Sequence, residues 1–588
     1  MHEVSAARFS QTGGSACHAA SSISEKAIRI LLTAFLVFVL LVLVVFPVVS
    51  ILRKSFESAS GTFIGLENFR AYLGNPALAQ SVTNTLLLGF LTTLITVTLA
   101  FIFAYALTRT RLPGKIIFRG IALLPILAPS LLPAIALVYL FGNQGFLKDW
   151  IGDASIYGLG GVVAGQVFYC FPHAVLILIT ALSLADARLY EAAEMLKASG
   201  WRIFRTVTLP SARFGIISAI SVVFTISVTD FGVVKVIGGQ FSILSIDIYK
   251  QVIGQQNFQI GAVVGVILLV PAVLSFIVDL YVRRRSKAQL SARAVMLKPQ
   301  SRPAIDIVMS LCVVAVSLLI LLLVGTAIFA SLASFWPYDL SLSLTNYDFA
   351  TYDPAGWSSY INTLKMAGWT ALFGTCMAFL GAYLTEKGDN SRALAAVYRA
   401  FALLPIAVPG LALGLGYIFF FNDRANPLSG LYATMAILVM STIAHYYTVP
   451  HLMATTVLKQ LDDEIEEAGT SLGVPFWKTG FRVTLPICTP TIIDIATYFF
   501  LNAMTTIGAV VFLYSPMTKL ASVAVVEMDD TGDTAAAAAM AVMILLTAGA
   551  VKLLQLALSF VLVRRTQAWR NRKPDALILQ PSRAEMLT

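Results

Sequence analysis

The sequence predicts an all-α polytopic membrane protein whose 12 transmembrane helices form two parallel six-helix repeats. Of its 588 residues, 58% are hydrophobic and 12% are charged, and the mean hydropathy is +0.81. Soluble domains carry roughly 25% charged residues. A bilayer core requires about 20 consecutive apolar residues per helix. Twelve runs meet this requirement: residues 27–52, 82–108, 116–141, 158–184, 212–234, 258–282, 305–334, 359–385, 397–421, 429–457, 487–513 and 535–563.

The basic residues predict the orientation of these runs. With the N-terminus in the cytosol, 31 of the 41 Lys and Arg residues fall on the cytosolic side and 8 fall outside. Cytosolic loops of membrane proteins are enriched in Lys and Arg. The net charge of +10 therefore reflects membrane orientation, and no nucleic-acid partner is expected. Both termini are predicted to be cytosolic.

The chain divides into two halves with short polar flanks. The first apolar run is too long for a cleaved signal and is kept as a helix. The five cysteines have no spacing typical of disulfides or metal sites, so no metal is expected. The predicted organisation is a cytosolic N-terminal tail (1–26), a first six-helix repeat (27–282), a basic cytosolic linker (283–304), a second six-helix repeat (305–563) and a cytosolic C-terminal tail (564–588).

Landmarks of the first half return in order in the second half, 276 to 280 residues later. Repeats with an even number of helices share one orientation and are related by an axis along the membrane normal. The matching pairs are "NTL" at Asn84 and Asn362, "ALLPILAP" at Ala122 with "ALLPIAVP" at Ala402, and "PH" at Pro172 and Pro450.

The most informative match is a charged segment between the fourth and fifth run of each half. Residues 191–210 and 467–486 are identical at 8 of 20 positions and both end in "VTLP". Asp186 and Asp462 are suited to cap a short helix. Pro210 and Pro486 are suited to the first turn of the next membrane helix. Each segment is therefore predicted to form a helix-turn-helix protrusion in the cytosol.

These segments resemble the EAA loop of permease subunits in bacterial binding-protein-dependent ABC importers. The resemblance covers residues 60–285 and 340–565, and implies a type I ABC importer fold in the bacterial inner (plasma) membrane. It implies that each protrusion is a coupling helix seated in an ATPase subunit. The residues that carry the motif are Glu191, Ala192, Ala193, Leu196, Lys197, Leu209, Pro210, Glu467, Ala468, Gly469, Leu472, Gly473, Leu485 and Pro486.

The sequence departs from the family pattern at two positions. Lys197 replaces the family's Gly, and Gly469 replaces its second Ala. A non-glycine residue in a left-handed turn costs on the order of 1 kcal/mol. The first protrusion is therefore expected to turn differently or to bind its partner less tightly.

The chain has no G-x-x-x-x-G-K-[ST] phosphate loop, so no nucleotide site and no enzyme activity of its own are expected. No bound cofactor is expected on this chain. The implied partners are two copies of a cytosolic ATP-binding subunit that hold ATP and Mg, a periplasmic substrate-binding protein and membrane lipid. The alternative classes are a twelve-helix secondary carrier and a membrane enzyme, whose convergent catalytic groups are not found in the sequence.

Helix breakers and polar groups at membrane depth are the candidates for the substrate pathway or gate, because they are costly unless they face protein or water. Asp230 corresponds to Thr506 in the other half, which makes the pathway asymmetric. Asp494 and Lys552 are expected to pair. The candidates are Pro125, Pro129, His173, Asp230, Pro405, Pro409, His451 and Thr506.

The segment from Thr229 to Gly265 resembles fused permeases for 2-aminoethylphosphonate, which makes this zwitterion the first substrate expectation. Fused permeases for iron(III) share the twelve-helix layout and are the alternative. The sequence lacks grouped His, Cys or carboxylate ligands within one run, which favours the organic substrate over a bare metal ion.

Overall fold

A computed structural model describes residues 25–287, 303–387 and 391–566. The predicted tails and the basic linker lie outside these residues, except at their edges. In the first half the helices are α1 Glu25–Ser55, α2 Glu67–Gly74, α3 Pro76–Arg109, α4 Lys115–Leu123, α5 Leu131–Phe141, α6 Leu159–Ser183, α7 Ala187–Met195, α8 Gly200–Thr229, α9 Gly232–Ile237, α10 Leu244–Tyr249 and α11 Phe258–Lys287.

The second half follows a similar order. A two-stranded antiparallel hairpin, β1 Ala333–Phe335 and β2 Asp339–Leu342, lies after its first helix and departs from the all-helical expectation. The helices are α12 Pro303–Leu332, α13 Phe349–Tyr352, α14 Trp357–Glu386, α15 Arg392–Leu403, α16 Gly410–Phe421, α17 Met435–Tyr446, α18 Thr448–Leu458, α19 Glu464–Ser471, α20 Phe476–Thr505, α21 Ala521–Thr531 and α22 Thr534–Thr566.

Among the described residues, nine helices are long and apolar enough to cross a membrane, or eleven spans if each of two bent pairs counts as one. The bent pairs are α4 with α5, at 101°, and α15 with α16, at 113°. Short 3-10 turns, Leu124–Leu127 and Leu404–Ala407, precede the two bends. Prolines within these turns and just after them supply no backbone donor, which ends the regular helix.

The tenth apolar run forms two short helices, α17 and α18, in place of one long helix. The regular hydrogen bonds are interrupted at Tyr447. Pro450 has no N–H to donate to the carbonyl of Tyr446, so the interruption has a local cause. The equivalent Pro172 lies inside the continuous helix α6. The same Pro-His pair therefore breaks one helix and is accommodated in the other.

The fifth and eleventh runs also differ from their predicted bounds. Each helix begins earlier than its apolar run, within the charged segment, and each ends before its run does. Helix α8 ends at Thr229, where Asp230 takes an extended conformation, and α20 ends at Thr505, where Thr506 does the same. The chain then leaves the helix axis and forms the wall of a cavity described below.

Pairs of buried hydrogen bonds recur between the two halves. The hydroxyl of Thr85 accepts from the amide of Leu244 at 2.9 Å, and that of Thr363 accepts from the amide of Ala521 at 2.7 Å. Because the donor amides lie at helix starts, each bond satisfies an amide that has no partner within its helix. Each bond also ties a long helix, α3 or α14, to a short one, α10 or α21.

One continuous hydrophobic core includes buried residues from both halves. The C-terminal ends of α3 and α14 lie beside α7 and α19, which defines one face of the molecule. The opposite face is defined by the N-terminal ends of α3 and α14, together with α10, α21 and the β hairpin. The Trp336 indole donates across this opposite face to the Gln144 carbonyl at 3.2 Å. The core therefore holds the halves together between the two faces.

Candidate coupling protrusions and substrate cavity

The first protrusion, residues 186–205, is a short helix followed by a tight turn. The carboxylate of Asp186 accepts from the amide of Arg188 at 3.1 Å and caps α7, as predicted. The turn after α7 is closed by the amide of Lys197, which donates to Glu194, and by that of Ala198, which donates to Ala193, at 2.8 and 3.0 Å. These bonds satisfy carbonyls at the helix end.

The second protrusion, residues 462–481, is built in the same way. Its turn is closed by the amide of Gly473, which donates to Thr470 at 3.0 Å, and by that of Val474, which donates to Gly469 at 2.9 Å. The cap differs by one position from the prediction, because α19 starts at Glu464 with Asp463 as its N-cap residue. Asp462 still accepts from the amide of Glu464, at 3.4 Å.

The two turns have the same left-handed conformation. The backbone angle φ is 53° at Lys197 and 66° at Gly473. The first alternative, that Lys197 changes the turn, is therefore wrong, because the hydrogen bonds at the end of α7 hold a lysine in a conformation that favours glycine. Weaker binding of a partner by the first protrusion stays a prediction. A close contact accounts for the glycine at position 469, since a Cβ there would lie 2.8 Å from the Thr479 hydroxyl.

Both protrusions are anchored to the ends of long membrane helices. Arg109, at the end of α3, donates to the Leu182 carbonyl at 2.7 Å, and its guanidinium lies 4.9 Å from the Tyr190 ring centre. In the second half, Lys387 donates to the Leu461 carbonyl at 2.7 Å and pairs with Asp463. A force on either protrusion therefore reaches the bundle through packed contacts.

The exposed side of each protrusion carries the predicted motif residues. Glu191, Ala192, Glu467 and Ala468 are exposed. Leu196 is 83% exposed and Leu472 is 79% exposed, and the nearby Met195 and Trp201 also project into solvent. Large apolar side chains in such exposed positions are typical of a surface that contacts another protein.

Pro210 and Pro486 lie in the first turn of regular α-helical segments that begin at Leu209 and Leu485, as predicted. These segments are, however, not separate membrane helices. Helices α8 and α20 run without interruption from Gly200 and Phe476, and each contains a π-helical segment, Phe204–Thr208 or Gly480–Thr484, just before its Leu-Pro pair. A wide turn of this kind lets a helix accommodate a residue that cannot make its regular hydrogen bond. The protrusions are therefore continuous with the helices that line the cavity.

A cavity of about 320 Å³ lies between the two halves. Of the predicted pathway residues, His173, Asp230, Pro405, Pro409 and Thr506 line it. Pro125, Pro129 and His451 do not. Pro125 and Pro129 are buried at the bend between α4 and α5. His451 is 2% exposed and packs against the rings of Tyr398 and Tyr447.

The charged groups of the cavity wall are acidic. Asp230 and Asp279 are among the described residues that line it, and no lysine or arginine is among them. Three tyrosines, Tyr169, Tyr446 and Tyr498, also line the wall. Such a wall attracts cations and leaves an anionic group without a charged partner.

Asp230 has a structural partner on each side. One carboxylate oxygen accepts from the Gln166 amide at 2.8 Å and from the Val233 backbone amide at 3.0 Å, while its carbonyl accepts from Ser245 at 2.7 Å. The bond to Val233 ties Asp230 to the first turn of α9. The carboxylate is thus part of the cavity wall and also holds the first turn of the next helix, α9.

Sequence reasoning did not single out His445 or Asp279. The Nδ1 atom of His445 is buried at the cavity and has no hydrogen-bond partner among the described residues. The sequence held a signal for His445, since the first half has Val167 at the equivalent position. Asp279 accepts from Ser218 at 2.6 Å.

The predicted pair of Asp494 and Lys552 is not formed. Asp494 accepts from the Gln555 amide instead. The positions equivalent to Asp494 and Gln555 are Ser218 and Asp279. The carboxylate is therefore on the earlier helix of the pair, α20, in the second half and on the later helix, α11, in the first half. Within the described residues, no group of three His, Cys, Asp or Glu side chains is arranged to hold a metal ion.

Comparison with known proteins matches the chain twice to one family model. The model "Binding-protein-dependent transport system inner membrane component" matches residues 96–288 and 377–560. The two matched segments include the first and the second protrusion.

Curated relatives extend over both halves. The chain is 27% identical to the ferric transport system permease protein FbpB of Actinobacillus pleuropneumoniae over 531 residues, which is 86% of this chain and 75% of the relative. It is 26% identical to the putative ferric transport system permease protein FbpB 1 of Haemophilus influenzae over 519 residues, 84% of this chain and 79% of the relative.

A shorter similarity is to the molybdenum transport system permease protein ModB of Escherichia coli. It reaches 32% identity over 157 residues, 26% of this chain and 69% of the relative. The double match to the family model covers more than half of the chain. The chain therefore belongs to the family of inner membrane components of binding-protein-dependent transport systems, the permeases of ABC importers.

Proposed function

We propose that this chain is the transmembrane permease of an iron(III) importer driven by ATP. The nine long helices, the two bent pairs and the pair α17–α18 make twelve spans, in two six-helix repeats of equal orientation with both termini in the cytosol. Two cytosolic ATP-binding subunits dock on the two protrusions. A periplasmic protein delivers the substrate to the opposite face.

The acidic cavity is the observation that carries the substrate assignment. Asp230 and Asp279 line it, and the described lining residues include no lysine or arginine. A cation or a cationic complex would find an opposite charge there, whereas the phosphonate group of 2-aminoethylphosphonate would find none. The ferric permease names of the two long relatives point in the same direction.

The second candidate, 2-aminoethylphosphonate, is kept because residues 229–265 resemble permeases for that compound. Its ammonium group could pair with Asp230, and its seven heavy atoms are small enough for the cavity. The two candidates differ in the charge that the cavity has to accept.

The geometry of the protrusions supports a role in coupling. Closure of a nucleotide-loaded ATPase dimer would bring the two protrusions together. Because α7 and α19 are anchored to α3 and α14 and are followed directly by α8 and α20, this movement would turn the walls of the cavity. Rocking of packed helices in this way is one of the common modes of domain motion.

The decisive experiment reconstitutes the chain with its ATP-binding subunits in vesicles and supplies iron-loaded or phosphonate-loaded binding protein on the outside. We expect ATP-dependent accumulation of radioactive iron. Accumulation of phosphonate alone would instead support the second candidate. Uptake that follows an ion gradient without the ATPase would contradict the importer mechanism.

A matched pair of variants tests the coupling. The double variant Glu191→Ala, Glu467→Ala is expected to lose ATP-dependent uptake while it still inserts in the membrane. The control Arg188→Ala, Lys478→Ala changes exposed residues of the same protrusions outside the motif and is expected to retain most of the uptake. Normal uptake by the glutamate double variant would contradict the assignment of the protrusions.

A further inference from the structure

Between the cavity and the opposite face, the two halves meet through a layer of aromatic rings. The ring of Phe231, which lines the cavity, lies 5.0 Å from that of Tyr249 in the first half. The ring of Tyr249 is stacked at 6.3 Å on that of Phe512 in the second half. These aromatic rings lead from the cavity wall across the boundary between the two halves.

An ion pair lies on this aromatic layer. The ammonium of Lys235 on α9 is 2.9 Å from a carboxylate oxygen of Asp530 on α21. The same ammonium is 5.2 Å from the centre of the Tyr249 ring. The side chain of Lys235 is 20% exposed and that of Asp530 is 46% exposed. The pair is therefore partly screened by solvent and can open at small cost.

This ion pair joins the two halves and has no counterpart related by the offset between them. The equivalent positions are Val511 and Ile253, which are apolar. An ion pair that only stabilised the fold common to both halves would be expected at both equivalent sites.

Helix α9 connects the ion pair to the cavity. It is six residues long, and its first turn is held by the bond from the Val233 amide to the cavity carboxylate of Asp230. Its last turn carries Lys235. The helix is packed tightly, since a Cβ at Gly232 would lie 2.2 Å from the Ser130 hydroxyl. A change at Asp230 is therefore passed to Lys235 by one short rigid element.

We propose that Lys235 and Asp530 form a latch that keeps the cavity closed toward the opposite face, and that α9 releases this latch when the surroundings of Asp230 change. Lys235 and Asp530 are positioning residues, since they act on access to the cavity and do not line it. The inference concerns access alone and does not depend on which substrate the protein carries.

Accessibility of a cysteine in the cavity tests the latch. The complete transporter, with its native cysteines replaced, carries Thr225→Cys on the cavity wall and is exposed from the outside to a small membrane-impermeant thiol reagent. Lys235→Glu or Asp530→Lys is expected to raise the labelling rate about fivefold or more, because each replaces attraction with repulsion across the latch. The double exchange Lys235→Glu, Asp530→Lys is expected to return the rate to within about twofold of the parent.

Two controls separate gating from damage. Lys250→Glu makes the same change on the same face, at a lysine that bonds Ser242 within the first half, and is expected to leave labelling unchanged. A reference cysteine at the buried Ala174 reports unfolding. Single variants that leave labelling unchanged, or that raise it together with labelling at position 174, would overturn the latch, as would a double exchange that does not restore closure.

The role of α9 has its own test. Asp230→Asn keeps an oxygen that accepts from the Val233 amide, whereas Asp230→Ala removes it. We expect Asp230→Ala to raise labelling of the cavity cysteine several-fold and Asp230→Asn to leave it near the parent rate. Equal labelling in the two variants would show that α9 does not connect the cavity to the latch.

Discussion

The two protrusions share a backbone and differ in charge. Their turns have the same left-handed residue and the same two closing hydrogen bonds. However, residues 186–205 carry three carboxylates and four basic side chains, whereas residues 462–481 carry five carboxylates and one lysine. Hydrogen bonds that are satisfied locally preserve a shape even when the exposed side chains around it change. Shape is thus the common feature of the two protrusions, and charge distinguishes them.

The cavity shows a second difference between the halves, and the largest expected effect is there. Asp230 faces the cavity in the first half, and Thr506 takes its place in the second. Asp230→Asn removes the charge and keeps an acceptor for Val233, so uptake of a cationic substrate is expected to fall about tenfold or more, the value of a charged hydrogen bond.

Thr506→Asn is the matched control for this prediction and is expected to change uptake far less. Both variants are measured by initial uptake rate in vesicles with the same amount of transporter. Unchanged uptake by Asp230→Asn would remove the carboxylate from the pathway and would favour a substrate without positive charge.

The left-handed turns provide a reciprocal test of the shared backbone. Gly473→Lys is expected to destabilise the end of α19 by about 1 kcal/mol, and Lys197→Gly to relieve a strain of similar size at the end of α7. The measurement is hydrogen exchange at the amides of Val474 and Ala198, which close the two turns. A change of the same sign at both amides would contradict equal turn geometry.

The charge difference predicts an unequal dependence on salt. Asp462→Asn with Glu464→Gln is expected to reduce the salt sensitivity of ATPase binding about two- to threefold, because exposed charges contribute modestly and are screened by ions. Glu194→Gln on the first protrusion is the control and is expected to have little effect. Binding of the ATPase to surface-immobilised transporter would be measured at low and at high ionic strength. Equal salt dependence of binding in all variants would contradict charge-assisted docking.

The smallest effect is expected at Glu466, which takes the position of Tyr190. The Tyr190 hydroxyl donates to Thr208, and the Glu466 carboxylate accepts from Thr484. Partial burial raises the pKa of Glu466 above its ordinary value. The folded second protrusion therefore favours the protonated form, and its stability falls as the pH rises through this raised pKa.

Glu466→Gln removes this dependence and is expected to make hydrogen exchange at Val474 less sensitive to pH between acidic and neutral solution. Glu464→Gln, on the same helix, is the control. A pH dependence that survives in Glu466→Gln would assign it to another group.

Several features could be predicted because their signals lie close together in the sequence. The apolar runs, the prolines at the bends and the glycine of the second turn all act within one or two helical turns. The shape of each protrusion follows from such local rules, and Asp186 was correctly placed as a cap. The paired segments also carried enough motif residues to indicate the importer family.

Tertiary structure alone decided which polar residues meet. Asp494 bonds Gln555 and not Lys552, His445 faces the cavity while His451 packs between tyrosines, and Lys235 finds Asp530 in the other half. These partners are far apart in the chain, and periodicity says nothing about contacts between helices. The sequence by itself determined the helical membrane class and the two protrusions, because hydrophobic burial in lipid and backbone hydrogen bonding are local requirements. The cavity, its acidic wall and the latch depend on how the two halves pack, which is decided only when distant surfaces come together.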